Sequence, residues 1–445
     1  MTTRFPPRTL LRTVFFLCIV CLQYKAISSP KALLAWTTGT KKILCIRVDF
    51  ADKPGESISV SKIQELTQSV NTFYAANSGN KIQFIAEVTP VLRMPHSAAD
   101  YVNSKSTNQN LITDGHNAAL EAGYNLNNYQ FEIVFCDKLS SKGIAWALHL
   151  RKGLLLSSND INAGTVAHEL GHNLGLYHAN LWQTDDGSII GSGHLKGYGN
   201  SFDVMGPGAP TVQERMLRHF SASSKYYLNW LPDDAVQNVT TSGTYRIFAH
   251  DLPNTSGLRA LTIKKNDTRD YWIEFRQLQK DEFYLMNGAL IYWVDKSQPG
   301  GTTLLDTTPG SPEGSLDAPL FIGRTFTDKD AGIHITPIGK GGTNPESLDI
   351  VVNFGQFPNN HAPKVHIIPN TLTVKPNEPV AFKTEASDPD GDKLAYSWDT
   401  SDGEVAGNVT AASKSWPTNG IYKVHCVVSD MKGGTGEDTV EINVR

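Results

Sequence analysis

The sequence predicts a multidomain chain in which one α/β domain is followed by two all-β domains. Residues 42–136 alternate strand and helix patterns, which is the order of an α/β fold. From residue 235 onward, β-branched and aromatic runs are separated by turn residues, and no long helix pattern interrupts them. A length of 445 residues is enough for two to four domains of ordinary size.

The elements of the first domain follow from the spacing of apolar residues. The run KILCIRVDF at 42–50 predicts a buried strand, and helical spacing of apolar residues predicts a helix at about 61–76. Further along the chain the pattern predicts a strand at 81–89, a helix near 111–122, a strand at 130–136 and short extended runs at 143–150 and 153–158. A polar stretch at 157–162 is typical of a helix start.

Residues 1–28 have the composition of a secretory signal peptide. Basic residues precede an apolar run at 14–22, and small residues follow at Ala26 and Ser28. The apolar run is too short to span a bilayer, so we expect a secreted protein with no stable membrane insertion after cleavage. A short segment, 29–41, would then precede the first strand.

The charge balance excludes some partners. The formal net charge is −4. Removal of the signal peptide would take away four basic residues and no acidic ones, which makes the mature chain more negative. A mildly acidic protein is a poor ligand for nucleic acid or for an anionic membrane. Of the three cysteines beyond the signal peptide, Cys45 and Cys136 lie in predicted strands of the first domain. They could form a disulfide or remain buried free thiols.

The stretch AHELGHNLGLYHA at 167–179 carries the strongest chemical signal in the chain. His168 and His172 are four residues apart in a predicted helix, so their side chains project from one face. Gly175 can take a positive φ, end the helix and turn the chain, which lets His178 reach the same ion. Three imidazoles that leave a fourth position open are typical of a catalytic zinc site.

Glu169 stands beside these histidines and is the candidate general base. An ordinary amphipathic helix would also bury Val166, Leu170 and Leu174. It would have no packing reason to carry His, Glu and His on its other face.

Two stretches flanking this motif are candidates for substrate contact. The run 144–149 could be an edge strand that pairs with an extended peptide through Ala145, Trp146 and Ala147, or an ordinary hairpin strand. In the Gly-rich loop that follows the motif, Tyr198 or His194 could stabilise an oxyanion, or both could be surface residues.

The chain then makes an irregular turn and completes the first domain. DVMG at 203–206 is followed by two prolines, which force a tight turn around Met205. A helix at 212–220 and the run 226–231 complete a domain that we place at 42–234.

The rest of the chain is predicted to be β-structure. Residues 235–356 suit a β-sandwich, and residues 357–362 suit a linker. Residues 363–445 have the length and turn spacing of one immunoglobulin-like sandwich with Trp398 in its core. In this domain Asp388, Asp390 and Asp392 crowd one turn, either to form the turn or to bind Ca2+.

These motifs resemble those of known families. HELGHNLGLYH at 168–178 with DVMG at 203–206 resembles the metzincin clan of zinc peptidases, and GYGNSFDVMG resembles the gametolysin (autolysin) family. In that family an Asp is expected where Asn200 stands, and the astacin-type Tyr after the Met is replaced by Pro207. Residues 363–445 resemble a PKD domain, a module often appended to secreted hydrolases.

The resemblance implies a metzincin-like domain with a mixed sheet and a zinc-binding helix. His168, His172 and His178 would bind zinc, Glu169 would be the general base, and Met205 would lie in the turn beneath the site. The expected function is a secreted zinc endopeptidase acting on extracellular, matrix or cell-wall proteins, with matrix or polysaccharide contact through the PKD-like domain. The alternative is a secreted adhesive or matrix-binding protein, whereas a thermolysin-type fold would need a downstream Glu ligand.

Overall fold

A computed structural model describes residues 30–55, 58–136, 139, 144–157, 161–400 and 407–445. The predicted signal peptide at 1–28 lies outside these residues. Within the described ranges, no helix combines the length and the apolar character needed to cross a membrane.

The first part of the chain forms a mixed sheet flanked by helices. Its elements are α1 (Pro30–Thr37), β1 (Gly39–Asp49), α2 (Val60–Ser78), β2 (Ile82–Arg93), α3 (Ala98–Asn103), α4 (Thr107–Glu121), β3 (Phe131–Cys136), β4 (Ile144–Ala147), β5 (Leu154–Ser157) and α5 (Ala163–Leu174). The strand order is β2-β1-β3-β5-β4, parallel except that β4 runs antiparallel to β5. The predicted strands and helices are therefore confirmed, with ends that differ by a few residues.

Each face of this sheet buries its own core, because alternate side chains of a strand point to opposite faces. One core packs the sheet against α2 and α5, and the other packs it against α3 and α4. Cys45 belongs to the first core and Cys136 to the second, and each is a buried thiol outside any disulfide. The two cysteines therefore form no disulfide.

Helix α1 was not predicted, and it occupies most of the expected N-terminal segment 29–41. An eight-residue helix is marginal alone and gains its stability from packing. Trp36 supplies that contact, since its Nε1 donates a hydrogen bond to the carbonyl of Asn173 at 2.8 Å.

The elements after α5 complete the first domain and form the second. They are β6 (Ala179–Thr184), β7 (Gly193–Lys196), α6 (Val212–Leu217), α7 (Ala222–Tyr227), β8 (Val236–Asn238), β9 (Gly243–Phe248), β10 (Ala260–Lys264), β11 (Arg269–Glu274), α8 (Phe283–Met286), β12 (Gly288–Asp295), β13 (Thr302–Leu305), β14 (Leu320–Phe321), β15 (Phe326–Asp328), β16 (Ile333–Lys340) and β17 (Ser347–Phe354). Two sheets form, with orders β7-β6-β13-β12-β11-β10-β8 and β15-β16-β17-β9, and β14 pairs with β12. A shared core of side chains from both sheets gives the expected sandwich.

The predicted domain division at residue 234 cuts through the larger of these sheets. Strand β6 lies inside the predicted range 42–234, yet it pairs in parallel with β13, from Ala179↔Thr302 to Trp182↔Leu305. This pairing joins residues more than a hundred positions apart, so no local pattern could indicate it. As a result, the chain enters the second domain immediately after His178.

The C-terminal part is a small sandwich, as predicted. Its strands are β18 (Lys364–Pro369), β19 (Thr373–Val374), β20 (Val380–Ser387), β21 (Ala395–Thr400), β22 (Ala411–Lys414), β23 (Gly420–Ser429) and β24 (Thr435–Val444). The sheets β18-β20-β22 and β19-β24-β23-β21 enclose Trp398, which is 1% exposed, together with Trp416. Direct contacts join it to the second domain, including a 2.8 Å hydrogen bond from Asn353 Nδ2 to the carbonyl of Met431.

Candidate metal centre

Helix α5 begins and ends where its sequence indicates. The side chain of Asn162 caps its N-terminus by accepting a hydrogen bond from the Thr165 amide at 3.0 Å. Gly175 ends the helix with φ of 108°, a left-handed conformation that favours glycine. The predicted helix stop at Gly175 is thus confirmed, and the chain turns back toward the helix at this residue.

The turn brings His168, His172 and His178 together. One ring nitrogen from each lies within 4.8 Å of the other two. The Nε2 atoms of His172 and His178 are 3.0 Å apart. Nitrogens bound to one tetrahedral zinc at about 2.0–2.1 Å lie about 3.4 Å apart, and the separation of His172 from His178 is of that order.

The other ring nitrogens of the two helical histidines are held by backbone carbonyls. His168 Nδ1 lies 2.8 Å from the Val204 oxygen, and His172 Nδ1 lies 2.7 Å from the Leu176 oxygen. A carbonyl can only accept, so each Nδ1 carries the proton and each Nε2 keeps its lone pair. Burial lowers the pKa of His168 to about 3 and that of His172 to about 4, which keeps both rings neutral. The donor set therefore fits zinc.

Glu169 follows His168 in α5 and is only 6% exposed. Burial raises the pKa of Glu169 to about 7, and the positive charge of Arg215 acts in the opposite direction. A carboxyl with a pKa near neutrality can both accept and donate a proton under physiological conditions.

The turn around Met205 packs directly beneath the helix. A Cβ atom at Gly171 would lie 2.5 Å from Met205 Sδ and 3.4 Å from Phe220 Cε1, so glycine is needed for this close approach. The backbone of Met205 is fixed by its amide, which donates to Asp203 Oδ1 at 2.8 Å, and by its carbonyl, which accepts from the Ala179 amide at 2.9 Å.

Asn200, where the gametolysin pattern has Asp, is fully buried beside this turn. Its Oδ1 accepts a hydrogen bond from the Phe202 amide at 2.9 Å. An amide oxygen performs this function as well as a carboxylate does, so the turn needs no charge at this position.

The two candidate oxyanion residues lie in different surroundings. The ring of Tyr198 lies against His178 with a centroid distance of 3.7 Å, and its side chain is 45% exposed. His194 is also exposed, and it faces Asp185 at 3.7 Å. The structure therefore brings Tyr198, and not His194, to the histidine cluster.

Strand β4 is the edge of the first sheet, and within the described residues β5 is its only partner. Ala147 packs toward the core that contains α5, whereas Trp146 packs on the opposite face. Of the three predicted contact residues, Trp146 thus directs its side chain away from the zinc helix. Only its backbone could meet a peptide lying along this edge.

Asn173, which the sequence analysis missed, fastens the segment between β4 and β5 to α5. Its Nδ2 donates to the carbonyls of Leu148, Arg151 and Gly153 at 2.9, 2.8 and 3.1 Å. The Leu150 amide also donates to the His172 carbonyl at 2.8 Å. No local pattern indicates these bonds, because the burial of Asn173, which makes hydrogen-bond partners necessary, follows from tertiary packing.

Arg215, on α6, is a second residue that the sequence analysis missed. Its Nη1 lies 3.4 Å from Thr165 Oγ1, and its side-chain carbons cover Gly164 on the zinc helix. The predicted helix at 212–220 is confirmed over 212–217. The prediction could not indicate which of its side chains contacts the zinc helix.

The acidic cluster of the C-terminal sandwich is explained by local contacts. The Asp388 Oδ1 accepts from the amides of Asp390 and Asp392 at 2.8 and 3.2 Å, as a turn-forming Asp does. Lys432 forms an ion pair with Asp392. The turn-forming alternative is therefore confirmed, whereas the Ca2+ alternative has no support and stays a prediction.

Comparison with known proteins agrees with this geometry. Residues 60–179 match the family model described as metallo-peptidase family M12B, reprolysin-like, and residues 360–444 match the PKD domain. No curated protein matches the chain.

Three solved PKD domains are similar to the C-terminal part. The PKD domain of an M14-like peptidase from a Thermoplasmatales archaeon is 18% identical, covers 19% of this chain and 97% of its own, and has a TM-score of 0.18. The PKD1 domain of the Vibrio cholerae metalloprotease PrtV is 26% identical, with 19% and 96% covered and a TM-score of 0.17. The PKD1 domain of Vibrio anguillarum Epp is 28% identical, with 20% and 100% covered and a TM-score of 0.17.

The first family match spans the whole histidine motif, from His168 to His178. The chain therefore carries a reprolysin-like metallopeptidase domain, whose family implies a zinc cofactor, together with a C-terminal PKD domain.

Proposed function

We propose that the protein is a secreted zinc endopeptidase of gametolysin type that hydrolyses extracellular, matrix or cell-wall proteins. The observation that carries the proposal is the convergence of His168, His172 and His178 beside the buried carboxyl of Glu169. A structural metal site would have no use for a general base in this position.

His168, His172 and His178 would hold the ion, which when bound supplies a Lewis acid that polarises the scissile carbonyl and activates a water. Glu169 accepts a proton from the attacking water at its carboxylate and then donates it to the nitrogen of the leaving amine. The burial that brings the pKa of Glu169 to about 7 suits both steps, because the same group must be base and then acid.

Two further features would bind the substrate. The edge of β4 that has no strand partner among the described residues, with Ala145, Trp146 and Ala147, would offer backbone donors and acceptors to an extended peptide. Such backbone groups bind any side-chain sequence. Tyr198, which lies against His178, would donate a hydrogen bond to the developing oxyanion.

The C-terminal sandwich would add a contact to matrix protein or polysaccharide. PKD domains are typical of extracellular proteins, which agrees with the predicted signal peptide at 1–28. The Ca2+ prediction for Asp388, Asp390 and Asp392 belongs to this domain. A rise in its melting temperature on addition of Ca2+ would support that prediction.

The decisive experiment combines metal analysis with a digest of an unbiased peptide library by the mature full chain. We expect one zinc per chain, endoproteolytic cleavage that a chelator abolishes, and a loss of turnover by about 100-fold or more in Glu169→Gln with zinc retained. Retained activity in Glu169→Gln would refute the base assignment. Bound zinc without cleavage of any peptide would favour the adhesive, matrix-binding alternative.

A further inference from the structure

The guanidinium of Arg215 is partly buried beside the zinc helix and forms no direct ion pair with a carboxylate of the described residues. Its single hydrogen bond, to Thr165 Oγ1, is long at 3.4 Å, and its Nε is buried without any partner. By contrast, the fully buried Arg276 pairs with Glu274 at 2.6 Å. A partly desolvated cation that lacks a direct ion pair is costly, and a carboxylate of a ligand would supply that pair.

The fold holds Arg215 in this place. Thr211 caps the N-terminus of α6, since its side chain accepts a hydrogen bond from the Glu214 amide at 3.1 Å. Arg215 then crosses the start of α5, where a Cβ atom at Gly164 would lie 2.8 Å from its Cδ. The absence of a side chain at Gly164 thus makes room for the arginine stem. The guanidinium is directed along the zinc helix rather than into open solvent.

Arg215 lies on the same side of the helix as the proposed general base. Thr165, which its guanidinium contacts, precedes Glu169 by four residues, so the two side chains are neighbours on one helical face. The positive charge of Arg215 is near enough to affect the pKa of both Glu169 and Tyr198. Burial raises the pKa of each, and Arg215 lowers it.

In the proposed mechanism, the part of the substrate nearest to Arg215 is the residue that carries the leaving nitrogen. Glu169 donates its proton to the leaving nitrogen, so the residue that carries this nitrogen must lie next to Glu169. Its side chain then meets the neighbouring guanidinium. A guanidinium matches a carboxylate in shape and charge and can bind it through two hydrogen bonds.

We infer that Arg215 is a specificity residue that binds a carboxylate on the substrate residue carrying the leaving nitrogen. This inference rests on the proposed function and adds a substrate class to it: proteins cleaved on the N-terminal side of Asp or Glu. A carboxylate at the chain end would offer the same chemistry, and the experiment separates the two sources.

The test uses the zinc-loaded full chain and three peptides of otherwise identical sequence. Two are blocked at both ends and carry either Glu or Gln after the scissile bond, and the third carries Gln there as its last residue with a free carboxylate. We expect kcat/KM for the Glu peptide to exceed that for the Gln peptide by about ten-fold or more, the effect of a charge-assisted hydrogen bond. Arg215→Met should bring this ratio close to one, and Arg215→Lys should keep it above one. Lys196→Met, which removes an exposed charge from the end of β7, should leave the ratio unchanged.

The outcomes separate this inference from the proposed function. Cleavage of both blocked peptides at equal rates by the unmodified protein would overturn the inference and leave the endopeptidase standing. Failure to cleave any peptide, in this set or in the library digest, would refute the endopeptidase. An equal loss for both peptides in Arg215→Met would show that the arginine acts on Glu169 alone, and would also overturn it. Preference for the free carboxylate over the blocked Gln peptide would support the site and assign the anion to the chain end. If Arg215→Met fails to fold, the ratio of kcat/KM between the Glu and Gln peptides, measured in the unmodified protein and in Arg215→Lys, still tests the inference.

Discussion

Replacement of Gly171 by alanine would test whether the packing of Met205 determines which residue the zinc helix carries at this position. Gly171 lies inside α5, where alanine is normally the better residue by about 1 kcal/mol. Here the added methyl group would lie 2.5 Å from Met205 Sδ and 3.3 Å from its Cε. Ordinary contacts between such atoms are about 3.5–4.0 Å.

The methionine would therefore have to move by about 1 Å, and its surroundings resist that movement. Met205 is 1% exposed and Phe220 is fully buried, so neither side chain can relax into solvent. Overpacking of a core usually costs about 1–3 kcal/mol. Subtracting the gain in helix propensity, we expect Gly171→Ala to lower the free energy of unfolding by about 1 kcal/mol.

A double-mutant cycle measures the interaction between residues 171 and 205 directly. Met205→Ala alone should cost about 2–5 kcal/mol, because it leaves a cavity under the helix. In that background the methyl group at Gly171 enters empty space, so Gly171→Ala should stabilise the protein by about 1 kcal/mol. The effect of the same substitution should thus change sign with the residue at 205.

Urea unfolding of all four proteins would measure these energies, with a chelator present so that zinc binding does not contribute. Stabilisation by Gly171→Ala in the presence of Met205 would refute the packing argument. An effect of the same size and sign in both backgrounds would also refute it.

Three other predictions follow from contacts around the site. Asn173→Ala removes three hydrogen bonds between α5 and the segment that follows β4, so we expect about 2 kcal/mol of destabilisation. Since this segment positions β4, we also expect a higher KM for long peptides at unchanged zinc content, and an unchanged KM would contradict this. Burial alone would raise the pKa of Glu274, but Arg276 and His250 hold this pKa well below its ordinary value of 4.5. The ionised Glu274 therefore contributes its full stabilisation of the folded state above pH 4.5, and this contribution is lost as the pH falls below 4.5. Glu274→Gln should therefore lower stability at pH 7 by about 3 kcal/mol and flatten the fall in unfolding free energy on acidification, and an unaltered slope would count against the argument. A chain truncated after residue 234 should show no cooperative thermal transition, because β6 loses β13, and a cooperative transition by circular dichroism would overturn this expectation.

The sequence determined those features that depend on residues close together in the chain. The spacing of His168, His172 and His178, with glycine at 175, predicted both the helix and its end, because periodicity and positive φ are local properties. The strands of the first sheet and of the C-terminal sandwich were predicted for the same reason. Buried strands and their turns have recognisable compositions even when their partners are unknown.

Only the tertiary structure decided which distant residues meet at the site. No pattern near Arg215 indicated that it would lie along the helix face of Glu169, and nothing near Asn173 indicated which carbonyls it would bind. The pairing of β6 with β13, which joins the zinc motif to the second domain, was equally hidden. Such contacts depend on how whole elements pack in space, and packing selects among many arrangements that one local sequence allows equally well.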